Sequence, residues 1–229
     1  MKTTTIPLNL KIYAILWLSL VALSLSAGMN PEVSAQLPTH WGPDLQPDGY
    51  ANKWFALLML PIVSASVAAL LKFIPIIDPR HQHLINSARA YHGTFWAVQA
   101  LLGMLQLFLI SYALGMGWSI ATFLAPGMGI LFTVMGNYLG KTQSSFTFGI
   151  RTPWTLSSET VWRKCHREAG YALLSLGLLL ILSTPWANAS TLLLGAMIGV
   201  GVALWVTVRS YFLWRVEQVD VDTSEEPQR

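Results

Sequence analysis

Charge is what this sequence has least of. Only 11% of its 229 residues are Asp, Glu, Lys or Arg, under half of the roughly 25% found in ordinary soluble domains. So few charges cannot cover a water-soluble globule of this length. A formal net charge of +3 calls for no direct nucleic-acid partner, because the distribution of the basic residues accounts for it. Cysteine is nearly missing as well. Cys165 is the single thiol, which rules out an internal disulfide, and it is expected on a reducing side.

Apolar residues fill the space that charge leaves. They make up 53% of the chain and gather into six runs separated by polar loops. A helix rises about 1.5 Å per residue, so about 20 residues cross a hydrocarbon layer of about 30 Å. The runs predict spans at about 11–27, 54–74, 91–114, 118–139, 170–186 and 191–214. The expected fold is all-α: a polytopic membrane protein with six transmembrane helices, forming a single integral membrane domain over 1–229. The first run also has features of a secretory signal peptide, with Lys2 and Lys11 ahead of it and Val33-Ser34-Ala35 beyond it. Its length and the distance to that site favour a retained span.

Basic residues are missing from one side. With six spans, 13 of the 14 Lys and Arg residues fall at one set of ends, and Lys53 alone falls at the other. The positive-inside rule then places both termini in the cytoplasm of a bacterial cell (inner) membrane. Membrane lipid is the first expected partner, and anionic lipid suits the basic face.

Two loops are longer than connection requires. The extracytoplasmic loop 28–53 is rich in Pro, Gly and Asp and is expected to be irregular with tight turns. It brings His40, Trp41, Asp44, Asp48 and Lys53 up to the second span, and these are the outer binding candidates. The cytoplasmic motif 140–169 is far more polar. Pro153 suits a first helical turn, and Thr152 and Thr155 are both plausible N-caps. An interfacial helix is expected before the fifth span, turning into it near Gly170. Ser158, Trp162 and His166 share one stripe of it, and Glu159 and Arg163 stand at a pairing distance. Asp78 and Arg80 on the preceding inner loop, Asn137 at the end of the fourth span, and Arg167 complete the inner candidates. Arg151, Trp154, Glu159 and His166 are expected to form one packed cluster, with the Arg151 guanidinium paired to Glu159 or Asp78. Gln99 and Gln106, seven residues apart on the third span, should point into the bundle. Gly136 and Gly140, and Gly195 and Gly199, have spacings that let helices approach closely. The tail 216–229 is acidic and expected to be disordered.

Three segments resemble the SdpI family of bacterial membrane proteins. They are the outer "LPTHW…PDGYANKW", the inner "IIDPRHQHL", and "MGNYLGK…FGIRTPWTLSSETVWRKCHREAG". This chain has Leu45 where the family usually has Gly, Ser144-Ser145 for a common Pro-Asn, and Cys165 for a usual Thr. The resemblance implies a protein giving immunity to a secreted toxic peptide or to membrane stress. It further implies a toxin peptide as the outer partner and, by analogy with the name-giving member, a soluble repressor captured inside. No cofactor is implied.

The residues by themselves leave other classes open. A membrane-embedded enzyme acting on lipid or peptide would use Arg151, Glu159 and His166 for anion binding and acid–base work. Asp78, His81, His83, Cys165 and His166 are of metal-ligating types, but they lack the paired spacing of a zinc site, so no metal is expected. Cys165 has no visible base to act as a nucleophile. A small transporter would need ionisable groups at mid-membrane depth, and the runs carry essentially none. No catalytic residue is assigned, and a non-enzymatic protein is the expectation.

The orientation is directly testable. In a Cys165→Ser background, a cysteine at position 40 is expected to react with an impermeant maleimide added from outside, and one at position 80 is not. The reverse pattern would overturn the assignment.

Overall fold

The structure, a computed structural model, describes Ile6 and residues 8–225, with side chains as far as residue 219. Six helices are long and apolar enough to cross a membrane. They are α1 (Leu10–Met29), α2 (Lys53–Ile77), α4 (Ala88–Ala113), α5 (Ala121–Leu139), α7 (Glu159–Ser183, continued by a 3-10 turn at Thr184–Trp186) and α8 (Ala189–Glu225). Two short helices, α3 (His81–Asn86) and α6 (Pro153–Ser157), lie in the inner connections. Ile15, Ile62, Leu182 and Leu204 remain more than 60% exposed, which suits contact with lipid tails rather than water. The chain is a multi-pass, all-α membrane protein, and an even number of spans brings both ends to the same side.

Two prolines in α2 govern how the first helices meet. Pro61 and Pro75 lie inside α2, and proline offers no N–H to the carbonyl four residues earlier. The Leu57 and Leu71 carbonyls therefore lose their helical donors in a medium without water. Helix α4 supplies both replacements. Gln106 Nε2 donates to the Leu57 carbonyl at 2.9 Å, and the Tyr91 hydroxyl donates to the Leu71 carbonyl. Gln106 Nε2 also reaches Ser24 Oγ of α1 at 2.7 Å. Seven residues away on the same face, Gln99 accepts from Ser64 Oγ of α2 at 2.6 Å. Trp17 Nε1 adds a bond from α1 to the Pro61 carbonyl at 2.8 Å. Both glutamines are buried, as their spacing predicts.

Backbone contact joins α5 to α7. A Cβ on Gly136 would lie 2.6 Å from the Gly170 carbonyl oxygen, and one on Gly177 the same distance from that of Gly129. Only glycine lets the two backbones approach so closely. Helix α8 closes on α7 through Arg209, whose Nε and Nη2 donate to the two Glu168 oxygens at 3.1 and 3.3 Å.

Three elements differ from expectation. The outer loop is not irregular: β1 (Gln36–Trp41) and β2 (Pro47–Asn52) pair as an antiparallel hairpin. Its buried Leu37 joins Ala27, Ala56, Leu57 and Leu109 in an apolar cluster that seals the outer ends of α1, α2 and α4. The short helix α6 (Pro153–Ser157) does precede the fifth span, but from Glu159 onward the polar segment is continuous with that span as α7. One stripe of its polar first half, Trp162, Cys165, His166 and Ala169, is buried in protein, so the helix has no reason to turn at Gly170. The tail is helical to Glu225, since no Gly or Pro interrupts it between Gly201 and Pro227. Residues 226–229 lie outside the described residues.

The proline account predicts a specific coupling. Tyr91→Phe should lower stability in detergent by about 1–3 kcal/mol, the usual effect of an unsatisfied buried acceptor. Pro75→Ala restores an N–H to Leu71, so the same Tyr91→Phe change made in that background should cost much less. Additive effects in this double-mutant cycle would refute the account.

Candidate functional site

The inner loop 140–152 passes between the α2–α3 corner and the first half of α7. Asp78 forms that corner because Pro79 pushes it into an extended conformation (φ −71°, ψ 122°), which ends α2. Its side chain is buried, with three donors facing the carboxylate. Arg80 N–H reaches Oδ1 at 2.7 Å, Thr147 N–H reaches Oδ2 at 3.0 Å, and the Thr147 hydroxyl also donates to Oδ2. Buried charge is tolerated when its hydrogen bonds are filled in this way.

Arg80 extends the lock to Ser144. Nη1 donates to Ser144 Oγ at 2.5 Å and Nη2 to the Leu156 carbonyl at 3.1 Å, with the guanidinium 4.9 Å above the Phe146 ring. The Ser144 hydroxyl donates in turn to Glu159 Oε1, and His83 Nδ1 donates to the Ser144 carbonyl at 2.8 Å. Helix α3, the loop and the start of α7 therefore converge on one serine.

A second layer lies deeper. His166 Nδ1 donates to the Trp162 carbonyl, leaving Nε2 to accept the Ile150 N–H, both at 2.9 Å. That arrangement requires a neutral ring. The imidazole stacks on Trp162 at 3.8 Å, and Trp162 Nε1 donates to the Thr142 carbonyl at 3.0 Å. Gly149 makes the fit possible. Its φ is +110°, and a Cβ there would lie 2.7 Å from His166 Nε2. Thr152 caps α6 in a capping box with Thr155, and Ser158 caps α7 by accepting the Val161 N–H at 3.2 Å. Thr152 Oγ1 sits 3.0 Å from Ser210 Oγ of α8, and Trp154 meets Tyr211 of α8 edge-on.

The expected four-residue cluster does not form as drawn. Arg151 is exposed and donates to the Phe146 carbonyl at 2.8 Å, pairing with neither Glu159 nor Asp78. The turn at Gly149 sends Ile150 inward, and the next residue along extended backbone faces out. Glu159 is taken by Ser144 rather than by Arg163, which is exposed. Pro153 and Arg167 are exposed too, and Asn137 accepts only a long 3.4 Å bond from Lys141. Three residues that matter here lay outside the inner candidates named from the sequence: His83, Ser144 and Thr147. The Ser144-Ser145 departure from the family pattern was the available signal.

This arrangement holds chain rather than substrate. His166 has both ring nitrogens bonded to backbone, and Cys165 is fully buried among Leu139, Val161 and Ala169. Among the described residues, no group of three His, Cys, Asp or Glu side chains is placed to hold a metal.

The outer candidates divide by direction. His40 and Asp48 pair at 2.5 Å, with side chains 73% and 53% exposed. Asp44 is exposed and accepts the Gln46 N–H at 3.0 Å in the hairpin tip. Trp41 instead turns inward against Phe108 and Tyr112 of α4. Lys53 donates its backbone N–H to Ala35, and its ammonium lies 5.7 Å over Trp54. Leu45 has φ +63°, a left-handed position that explains why glycine is usual there.

Comparison with known proteins bears on both ends. Residues 141–209 match the SdpI/YfhL protein family, and residues 15–65 match a domain of unknown function, DUF1648. Immunity protein SdpI of Bacillus subtilis (strain 168) is 28% identical over 115 residues, covering 50% of this chain and 56% of that protein. The match thus spans about half the length of the curated relative. No solved structure matches.

The two arginines should separate experimentally. Arg80→Lys loses the fork that serves Ser144 and Leu156, and should lower stability by about 1.5–3 kcal/mol, the range for hydrogen bonds to charged groups. Arg151→Lys should change thermal stability in detergent very little. A larger effect at Arg151 would reverse these roles.

Proposed function

We propose that the chain, whose residues 141–209 match the SdpI/YfhL protein family and which is 28% identical to an immunity protein over 50% of its length, is an SdpI-type membrane protein protecting its cell from a secreted toxic peptide. The outer hairpin is the recognition surface. The observation that carries this reading is the contrast between the two ends. At the inner end the polar groups of Asp78, Arg80, Ser144 and His166 are used on the chain itself. At the outer end His40, Asp44 and Asp48 stand in solvent on a hairpin anchored by Leu37 and Trp41. Fixed polar groups on an anchored support favour binding, since little ordering remains to oppose it.

Enzymatic turnover is not part of the reading. The curated relative is named an immunity protein, and Arg151, Glu159 and His166 bond to Phe146, Ser144 and the Ile150 backbone rather than to one another. Both termini are assigned to the cytoplasm of a bacterial cell membrane, on the 13-to-1 distribution of basic residues. Capture of a soluble repressor at the inner face belongs to the same proposal. The exposed Arg151, Arg163, Lys164 and Arg167 offer such a partner a basic surface.

The test is survival. Sensitive cells expressing the protein are challenged with a panel of secreted membrane-active peptides. Wild type is expected to protect against at least one. His40→Ala combined with Asp48→Ala should abolish that protection at unchanged membrane abundance. Full protection by the double variant would remove the hairpin from the function, and lipid or peptide turnover by purified protein would replace immunity with catalysis.

A further inference from the structure

One cleft at the inner end is left unfilled by the loops described above. It has a volume of about 700 Å³, lies between the start of α4 and the end of α5, and is lined by Asn86, Arg89, Asn137, Tyr138 and Lys141, among others. We propose that this cleft binds a phosphate-bearing anion, presented either as the headgroup of an anionic phospholipid or as free phosphate.

Charge carries the assignment. Two cations line the cleft and no carboxylate does. Among the described residues, neither Arg89 nor Lys141 forms a salt bridge. Lys141 is held loosely, 3.4 Å from Asn137 Oδ1 and 5.4 Å above the Tyr138 ring. Both contacts orient the ammonium without neutralising it. The Arg80 guanidinium at the neighbouring lock, by contrast, donates from both terminal nitrogens to the chain itself.

The lining backbone is consistent with an anion. Ala88, Arg89 and Ala90 border the cleft and form the first turn of the 26-residue α4. Ser87 precedes them but does not cap that turn with its side chain. Its hydroxyl donates to the His83 carbonyl and accepts the Gln143 N–H instead. The cleft also lies where two apolar helices long enough to cross a membrane end, which is where spanning helices meet lipid headgroups. A phosphodiester there can meet both cations while its acyl chains stay in the bilayer. The proposal is independent of the immunity reading and of which side the inner ends face.

Lipid retention by the purified full-length protein tests it. Native mass spectrometry from detergent would compare phosphatidylglycerol with phosphatidylcholine, with and without inorganic phosphate as competitor. Wild type is expected to prefer phosphatidylglycerol. Arg89→Gln and Lys141→Gln should each weaken that preference by about fivefold, the usual share of one basic residue at a membrane surface. Lys164→Gln, outside the cleft, should leave it unchanged. If inorganic phosphate competes, free phosphate shares the site; if it does not, the ligand is the lipid. Should the double variant unfold, the single variants and the salt dependence of wild-type retention still decide. The proposal is overturned if the preference is absent, or if it survives loss of both cations in a folded protein.

Discussion

Inside hydrocarbon, a backbone carbonyl without a donor has no water to turn to, and α2 contains two of them. An unsatisfied group at that depth costs several kcal/mol, while an ordinary interhelical side-chain bond in a membrane averages about 0.6 kcal/mol. The pairing of α2 with α4 is thus set less by attraction than by the cost of its absence. Gln106 and Tyr91 lie fifteen positions apart on α4, and Leu57 and Leu71 fourteen apart on α2. Two contacts at that separation define both register and direction. They also place the two ends of α2: the hairpin joins it at Asn52, and Asp78 leaves it at the inner surface.

The second constraint is the glycine contact of α5 with α7. Gly136 and Gly170 bring the backbones together, and Gly140 abuts Arg167 one turn further in. The loop leaving α5 therefore emerges directly against the polar half of α7. This explains the density of polar residues in 140–169. A loop at the end of a bundle has no ladder of its own, and side chains must take the place of one. Thr142, Ser144, Ser145, Thr152, Thr155 and His166 are all buried, and every one is hydrogen-bonded. The cassette in effect substitutes for secondary structure.

What the sequence made legible follows from how local each feature is. Span number rests on run length. The cap at Thr152, and the inward face of Gln99 and Gln106, rest on spacing within a few turns, whereas Thr155 serves as the third residue of that capping box and the cap of α7 falls on Ser158. Non-local features were harder. The hairpin was hidden by its own Pro, Gly and Asp residues, which look like loop until Leu37 and Trp41 are seen pinned to distant helices. Glu159 looked destined for Arg163 by spacing, but Ser144 arrives through the loop and takes it. Arg151 looked like the buried guanidinium because it sits within the motif. Arg80, some seventy positions earlier and half-buried, makes the guanidinium contacts to the loop instead, because the Pro79 corner aims it there.

The same geometry gives α2 a particular position in the molecule. At its outer end, Asn52 Oδ1 accepts the Trp54 N–H, so strand β2 runs into the helix without a free linker. At its inner end, Asp78 is bonded to Thr147 of the loop. Both ends of α2 are thereby tied to the elements that carry polar groups. Its partner α4 is tied to it by the two proline carbonyls and carries Arg89 at its own inner end. The hairpin outside and the polar cassette inside are in this way joined to one pair of helices. The bonds that satisfy the carbonyls freed by two prolines are thus the bonds that hold the two helices in one register.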